Sequence, residues 1–335
     1  MEDQIDLLRF YDSANNLTLN EKYIEAIDNF GNFKRGRLDA KWKDFFEKML
    51  AEKVKGDKRK SADFTVPFEG FRYRCNLANS NDGFTISMRR LPQEVPSFRD
   101  DLHLDWTIVE PLMKGTGLTL FAGIMGSGKS TTMYAAIDKM DKRERGQLGT
   151  VEDPIEQIYT GAGVIQREVG THVESFEQAI RDCVRQNRRT IMVSEIRDPD
   201  TANAALLAAS TGLSVFATIH ADSAIDIVQR MTALIDTKYE RLLPRSLRGL
   251  WWQHVLRFAD GKRTPLPIYE SIEVTGPVRQ ILEEGPAKYP MLANEMKRQG
   301  RKTMAETAMQ LVTSGKVKRT EVTEFITRRD RINDF

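Results

Sequence analysis

The feature that most constrains the fold is the segment GLTLFAGIMGSGKSTTMYAAIDKM, in which an apolar run, a glycine-rich turn and a helical pattern follow one another. The turn matches G-x-x-x-x-G-K-[ST], where backbone N–H groups surround phosphate oxygens and the following helix directs its positive end at them. The lysine adds charge beside the β- and γ-phosphates, and the serine hydroxyl suits a Mg²⁺ ligand. The predicted nucleotide-binding residues are Gly123, Ile124, Met125, Gly126, Ser127, Gly128, Lys129, Ser130 (also the metal ligand) and Thr131.

Apolar runs that end in polar residues recur after this phosphate loop. GTVEDP, TIMVSE and LSVFATIH alternate with helical segments such as SFEQAIRDCVRQ and DTANAALLAAS. Strands that alternate with helices predict an α/β fold with a doubly wound, mostly parallel sheet. Ligands of such sheets bind outside the carboxyl ends of the strands. Residues 106–235 are therefore the predicted nucleotide-binding core.

Residues 236–335 are predicted to form a mostly helical C-terminal part of the same domain. One hairpin is expected at LRFADGKRTPLPIYESIEV. Trp251 and Trp252 in LRGLWWQHVLRF are interpreted as buried helix packing, and a patch that faces a partner is the alternative.

The first 60 residues are rich in charge and mostly helical in pattern, and the basic run in KWKDFFEKMLAEKVKGDKRK is interpreted as a solvated helix end. Residues 63–92 alternate apolar and polar residues around turn signals, which predicts three short strands in a small sheet. Residues 1–105 are therefore expected to form a smaller N-terminal domain and its linker.

Composition excludes several classes of function. Lys and Arg number 50 against 48 for Asp and Glu, so the net charge of +2 gives no global electrostatic case for nucleic acid or an anionic membrane. The two cysteines cannot form a four-thiolate zinc site. The acidic start MEDQID is not a signal peptide, and no apolar run could span a bilayer. A cytoplasmic protein is expected, which leaves docking at a membrane open.

Acidic residues and a histidine follow the predicted strands of the core. Nucleotide hydrolysis needs an acidic partner for Mg²⁺ and a group that activates water. Glu195 is the best candidate for the second role, and a strand-end carboxylate paired with an arginine is the alternative. Glu152 and Asp153 are a second acidic pair. His220, taken alone, is a structural histidine, but its place beside these strands favours contact with phosphate.

Four blocks, in the same order, resemble the secretion and pilus ATPases, the family that includes PilT, GspE and the VirB-type conjugation motors. The blocks are GIMGSGKST, Glu152-Asp153-Pro154-Ile155-Glu156, Ser194-Glu195-Ile196-Arg197-Asp198 and TGLSVFATIH, which ends at His220. The resemblance covers roughly residues 63–330 and points to PilT-like or DotB-like members.

The resemblance implies a hexameric ring whose subunits carry a PAS-like N-terminal domain and a RecA-like ATPase domain, with ATP and Mg²⁺ between domains and near a neighbouring subunit. It implies that Glu195 is the general base, that Glu152 lies near Mg²⁺ and that His220 senses the γ-phosphate. Arginines would reach the phosphates from elsewhere, because a planar guanidinium can bridge two oxygens. The candidates are Arg74, Arg89, Arg181, Arg185 and Arg197, with Arg181 and Arg185 assigned to catalysis and Arg89 to nucleotide binding.

The chain departs from the family pattern at several positions. Leu213 stands at the first histidine of the histidine block, Ser194 replaces a glycine, and Asn187-Arg188-Arg189 replaces an acidic stretch. His103, in DLHLDW, lies in the wrong place for a signature of retraction ATPases and is interpreted as structural.

The resemblance leaves three functions open. The first is a motor of a type IV pilus, in retraction; the lack of a four-cysteine module and Arg279 in PVRQ favour this branch. The second is a DotB-like or conjugative secretion ATPase, and the third is a catalytically impaired, nucleotide-dependent scaffold. The implied partners are five further copies and an inner-membrane platform protein, with only peripheral association at the cytoplasmic face of the membrane and no direct nucleic-acid contact.

Overall fold

A computed structural model describes residues 14–27, 33–57, 61–258 and 263–327. Contacts divide the chain into a smaller unit of Met1–Glu94, Pro154–Ile158 and Arg257–Thr264, and a larger unit of the remaining residues. The sequence places its first boundary after residue 105, and it does not indicate that two internal segments join the smaller unit.

The smaller unit contains a six-stranded antiparallel sheet in the order β3-β2-β1-β6-β5-β4. Its strands are β1 (Asn16–Asn20), β2 (Tyr23–Ile27), β3 (Phe33–Arg37), β4 (Ala62–Phe68), β5 (Phe71–Ser80) and β6 (Gly83–Arg90), and its helix is α1 (Ala40–Val54). Alternate residues such as Leu17, Leu19 and Ile86 face a core shared with the apolar side of α1.

The prediction of three strands in residues 63–92 is confirmed by β4, β5 and β6. The helical prediction for the first 60 residues is wrong for Asn16–Asn20, Tyr23–Ile27 and Phe33–Arg37, which form β1, β2 and β3. Each of these strands has five residues. A short alternation of apolar and charged residues resembles one turn of an amphipathic helix, and only pairing with β6 decides between them.

The larger unit contains a seven-stranded sheet in the order β13-β12-β7-β11-β10-β8-β9. Its strands are β7 (Gly117–Ala122), β8 (Leu148–Glu152), β9 (Val164–Glu168), β10 (Thr190–Val193), β11 (Ser214–Ile219), β12 (Leu247–Leu256) and β13 (Leu266–Glu273). All neighbours pair in parallel except β13, which pairs antiparallel with β12. The predicted α/β fold with a mostly parallel, RecA-like sheet is confirmed.

Helices connect these strands and follow the last of them. They are α2 (Trp106–Met113), α3 (Lys129–Lys139), α4 (Lys142–Arg145), α5 (Phe176–Arg185), α6 (Pro199–Ser210), α7 (Ala224–Leu234), α8 (Leu243–Ser246), α9 (Gly276–Glu284), α10 (Leu292–Arg298), α11 (Met304–Thr313) and α12 (Thr323–Thr327). Several of these helices are capped at the N-terminus by a side chain. The Ser175 hydroxyl accepts from the Gln178 N–H at the start of α5, and the Ser223 hydroxyl accepts from the Asp226 N–H at the start of α7. Within the described ranges, no helix is both long enough and apolar enough to cross a bilayer.

The interpretation of Trp251 and Trp252 as helix packing is wrong, because both lie on β12 and continue the central sheet. They are 0% and 1% exposed, so the alternative of a partner-facing patch is also wrong. A central strand covered on both faces is apolar throughout, and periodicity alone does not distinguish it from a buried helix. The predicted hairpin is confirmed by the pairing of β12 with β13; residues 259–262 lie outside the described part of the chain.

Candidate nucleotide site

The phosphate loop connects the carboxyl end of β7 with the first residue of α3. Gly123, Gly126 and Gly128 have φ angles of 151°, 73° and 79°, which non-glycine residues rarely adopt. A Cβ atom at Gly123 would lie 2.4 Å from the Ser127 Oγ and 2.3 Å from the backbone oxygen of Gln253. The loop therefore depends on glycine both for its backbone conformation and for its close packing on β12.

Exposure divides the loop into an inner and an outer part. Ser127 and Lys129 are 1% and 8% exposed, whereas the Met125 side chain at the tip is 87% exposed. The Lys129 Nζ lies 3.5 Å from the Nε2 of His220. The positive end of α3 and the Lys129 ammonium group thus converge beside the histidine that ends the neighbouring strand.

Parallel pairing brings the ends of β8, β10 and β11 together. The Ser194 N–H donates to the Val151 oxygen, and the Ile196 N–H donates to the Thr218 oxygen at 2.8 Å. The Thr218 hydroxyl donates to the Ser194 oxygen at 2.5 Å. These bonds fix the backbone on both sides of Glu195, whose side chain is 14% exposed.

The carboxylate of Glu195 is engaged through both oxygens. Its Oε1 lies 2.8 Å from the His220 Nε2, and its Oε2 accepts from the Arg197 Nε at 2.7 Å. Because a carboxylate only accepts, the His220 nitrogen is the donor in this contact. The predicted functional residues Lys129, His220 and Glu195 therefore lie close together, with Arg197 at the outer side. Because the His220 Nε2 carries the hydrogen, its 3.5 Å approach to the Lys129 ammonium group is not a hydrogen bond.

Burial, and after it the neighbouring Lys129 ammonium group, lower the pKa of His220 below its usual value, while Glu195 raises it. Arg197 and Arg230 add smaller lowering effects. The neutral imidazole is therefore favoured near pH 7, and its single N–H, on Nε2, is the hydrogen that Glu195 accepts.

A cavity of about 490 Å³ opens from this cluster. Glu195, Arg197 and His220 line one side, and Asp226 and Arg230 of α7 line the other. The Glu195 carboxylate, the predicted water-activating group, thus borders a cavity lined by charged side chains.

The predicted metal-site residue Glu152 is fully buried at the end of β8. Its carboxylate accepts from the hydroxyls of Tyr134 and Thr150, both at 2.5 Å, and from the Gln166 amide at 3.0 Å. Burial, together with this carboxylate, raises the pKa of Tyr159 well above the usual range. Glu152 thus links α3, through Tyr134, to β8 and β9, through Thr150 and Gln166. The sequence does not predict this link, because these three partners belong to no recognisable motif.

The predicted arginines are dispersed. Arg197 alone lies in the Glu195 cluster. On α5, the exposed Arg181 pairs with Glu177 at 2.5 Å, and Arg185 lies 3.9 Å from Asp182.

Two further arginine candidates lie in the smaller unit. There, Arg74 pairs with Glu156 at 2.7 Å, and Arg89 is exposed on β6. Glu156 belongs to this unit although Glu152, in the same acidic block, belongs to the larger one.

The departure at Leu213 lies away from the cluster. Leu213 precedes β11, whereas His220 follows it, so the whole strand separates the two positions. The Leu213 oxygen accepts from the Gly117 N–H at the amino end of the sheet. A histidine at this position would not reach Glu195, and the Leu213 substitution leaves the described cluster intact.

Comparison with known proteins identifies the family. Residues 72–333 match the family described as type II/IV secretion system protein, and the chain belongs to this family. It is 30% identical over 266 residues to the uncharacterized Escherichia coli protein YggR, covering 75% of this chain and 81% of YggR. It is also 30% identical to the type IV pilus retraction ATPase PilT of Pseudomonas aeruginosa, over 66% of each chain.

Solved structures agree. The pilus retraction motor PilT with bound ADP superimposes with a TM-score of 0.82 at 27% identity, covering 97% of this chain and 96% of that one. The Legionella pneumophila ATPase DotB superimposes with a TM-score of 0.75 at 25% identity, covering 94% of this chain and 92% of DotB. PilT and DotB are named as ATPases, and the ADP-bound PilT and the family support nucleotide binding by this chain.

Proposed function

We propose that this chain is an ATP-hydrolysing subunit of a hexameric motor that acts in a type IV pilus system, in retraction. One observation carries the proposal: the Glu195 carboxylate lies 2.8 Å from His220, whose same nitrogen lies 3.5 Å from the phosphate-loop Lys129. This arrangement joins a phosphate-binding group to a candidate water-activating group. The resemblance to PilT favours the retraction role.

The residues of the loop fit a nucleotide phosphate and Mg²⁺. Glycines at φ angles above 70° leave room for oxygens against the backbone N–H groups at the start of α3. Ser130 would hold the metal with the phosphates, and Glu152 would act near it. One or two protein ligands suffice for Mg²⁺ in such sites, because substrate phosphates and waters complete the coordination. When bound, Mg²⁺ would neutralise developing charge on the phosphates.

In this proposal, Glu195 accepts a proton from the attacking water. Its low exposure and its hydrogen bond from His220 hold the carboxylate at the end of β10, and Arg197 balances its charge. As the sensor of the γ-phosphate, His220 would pass its single N–H hydrogen bond from Glu195 to a phosphate oxygen. Arg89, Arg181 and Arg185 are proposed to contact phosphate within the ring, Arg181 after leaving Glu177 and Arg185 after leaving Asp182.

The proposed partners are five further copies of the chain and an inner-membrane platform protein, with the ring in the cytoplasm and docked at the membrane. A DotB-like secretion role is the second candidate, favoured by the TM-score of 0.75 with DotB over 94% of the chain. Deleting the gene in its own bacterium and measuring pilus retraction and secretion separately would distinguish the two.

Glu195→Gln tests the proposed chemistry. We expect phosphate release to fall by about 10²-fold or more, because general base catalysis contributes on that scale, while binding of a fluorescent ADP analogue is retained. Glu177→Gln, which removes an exposed carboxylate of α5, is the control and should hydrolyse ATP like the wild type. Equal rates for Glu195→Gln and wild type, or no release by wild type, would favour the scaffold.

A further inference from the structure

Strand β12 lies directly beneath the phosphate loop, and two of its residues, Trp252 and Gln253, donate hydrogen bonds to the loops that carry His220 and Lys129. A Cβ atom at Gly128 would lie 2.9 Å from the Gln253 Nε2, and one at Gly123 would lie 2.3 Å from the Gln253 oxygen. Two of the loop glycines are therefore needed for the approach of Gln253, in addition to any contact with phosphate.

Gln253 is the middle of a buried hydrogen-bonded chain. Its Nε2 donates to the Ser127 oxygen at 2.6 Å, and its Oε1 accepts from the Trp251 Nε1 at 2.7 Å. Ser127, Trp251 and Gln253 are each at most 2% exposed. The Trp251 ring stacks on Tyr269 of β13, with centroids 4.8 Å apart and an interplanar angle of 14°.

The chemistry of this chain selects glutamine. An indole N–H only donates and a backbone carbonyl only accepts, so the residue between them must accept at one end and donate at the other. A primary amide does both, and Trp251 determines which end faces the loop. Glutamate would place a second acceptor against the Ser127 carbonyl, and methionine would leave both partners unpaired.

Trp252, the next residue, supports the loop on the histidine side. Its indole Nε1 donates to the Ala221 oxygen at 3.0 Å. Ala221 follows His220 directly, and the Trp252 ring is 1% exposed. Adjacent tryptophans of one strand thus hold the two loops that carry Lys129 and His220.

We propose that Gln253, oriented by Trp251, is a positioning residue that holds the phosphate loop in its nucleotide-binding conformation, and that Trp252 does the same for the loop after His220. This inference rests on the proposed function. The bond to Ser127 fixes the loop from the side opposite the ligand, so its loss acts on nucleotide affinity. The bond to Ala221 fixes the sensor, so its loss acts on turnover.

Gln253→Met tests the first half, with Gln299→Met as the matched control. Gln299 also uses both ends of its amide, accepting from the Glu273 N–H and donating to the Glu273 oxygen, away from the phosphate loop. We expect Gln253→Met to raise the dissociation constant of a fluorescent ADP analogue and the KM for ATP about tenfold, with kcat within about threefold of wild type, because an unpaired buried carbonyl frees the loop. Gln299→Met should change neither constant.

Trp251→Phe and Trp252→Phe each remove one N–H donor and keep an aromatic ring, although the smaller ring also leaves a cavity at a buried position, whose effect on stability a melting curve would measure. Trp251→Phe should raise the dissociation constant about threefold, and Trp252→Phe should lower kcat about threefold with affinity retained, because each deletes one neutral hydrogen bond. If Gln253→Met does not fold, Trp251→Phe decides the first half.

The outcomes separate the two proposals. Wild-type protein that neither binds the ADP analogue nor releases phosphate would reject the proposed function. Wild-type protein that does both, while Gln253→Met and Trp251→Phe bind ADP equally well, would reject only the positioning role. Equal loss of affinity in Gln253→Met and Gln299→Met would make the effect one of general stability and would also reject it.

Discussion

The phosphate loop and the Glu195 cluster are held in different ways. Beneath the loop, Ser127, Gln253 and Trp251 form neutral hydrogen bonds in a site that solvent does not reach. At the cluster, Glu195 is bound by His220 and Arg197, whose side chains are 40% and 56% exposed. The loop is therefore fixed before a ligand arrives, whereas the cluster can exchange partners.

Energetics explain this contrast. A buried polar group that loses its partner keeps its full desolvation penalty, so the bonds under the loop are costly to break. Exposed ion pairs contribute about 1 kcal/mol or less, because water replaces the partner. A site that must bind phosphate and then reposition a carboxylate needs the first kind of support for binding and the second for hydrolysis.

The largest effect is expected from Gly123→Ala, which disrupts the buried support of the phosphate loop and leaves the Glu195 cluster unchanged. Alanine does not readily adopt the φ of 151° found at Gly123, and its Cβ atom would clash with the Gln253 oxygen. We therefore expect the substitution to reduce the free energy of unfolding by about 2–5 kcal/mol and to abolish ADP binding. Urea denaturation and ADP titration would measure both effects. Gly276→Ala is the control, since nothing lies within 4 Å of a Cβ atom there. A Gly123→Ala protein that binds ADP normally would show that the loop tolerates another packing.

His220→Ala should act on the cluster alone. We expect turnover to fall about tenfold, since the donor that holds Glu195 is lost, while ADP affinity stays within about threefold. His220→Gln keeps an N–H donor and should recover part of the rate. Steady-state kinetics and a melting curve would measure these effects, and a large loss of melting temperature would instead make His220 a structural residue.

The charges around His220 predict shifts of its pKa in opposite directions. Lys129→Met removes a lowering charge and should raise the His220 pKa, whereas Glu195→Gln removes a raising charge and should lower it further. NMR titration of the imidazole would measure both shifts. Shifts in the same direction would contradict the described geometry.

The same pKa determines how His220 contributes to stability. The folded-state pKa lies below the unfolded value of about 6.5, so the unfolded chain binds the proton more readily. The contribution is present above the unfolded value and is lost as the pH falls below it and through the lower folded-state pKa.

The smallest effect on stability is expected on α5. Arg181→Gln should change the free energy of unfolding by no more than about 0.5 kcal/mol, because its pair with Glu177 is exposed. If Arg181 contacts phosphate in the ring, phosphate release should fall in Arg181→Gln and remain normal in Glu177→Gln. Equal rates in both variants would assign Arg181 to the ion pair only.

Sequence reasoning found the residues whose chemistry is local. The phosphate loop is a contiguous motif, because the turn and the helix that follows it make the site together. Glu195 and His220 end separate apolar runs, and parallel strands bring such ends to one edge. The sequence does not predict the role of Gln253, because that role depends on Ser127, which lies 126 residues away along the chain. Trp251 and Trp252 were assigned to a helix because a strand buried on both faces has no alternating pattern.

By itself, the sequence determined the α/β class of the core, the phosphate loop and the family, since strand and helix periodicity and the four motifs are written in consecutive residues. Only the tertiary structure decided that Glu195 pairs with His220 and Arg197, that Arg74 and Arg181 pair with carboxylates, and that β12 supports the phosphate loop. Some of these contacts join segments that are distant in the sequence. In the others, a charged side chain has several possible partners nearby, and the structure shows which one it contacts. Strand order and packing, which local periodicity does not encode, bring Glu195 to His220, Arg74 to Glu156 and β12 to the phosphate loop. Arg181 and Arg197 instead pair with carboxylates four and two residues away in the sequence.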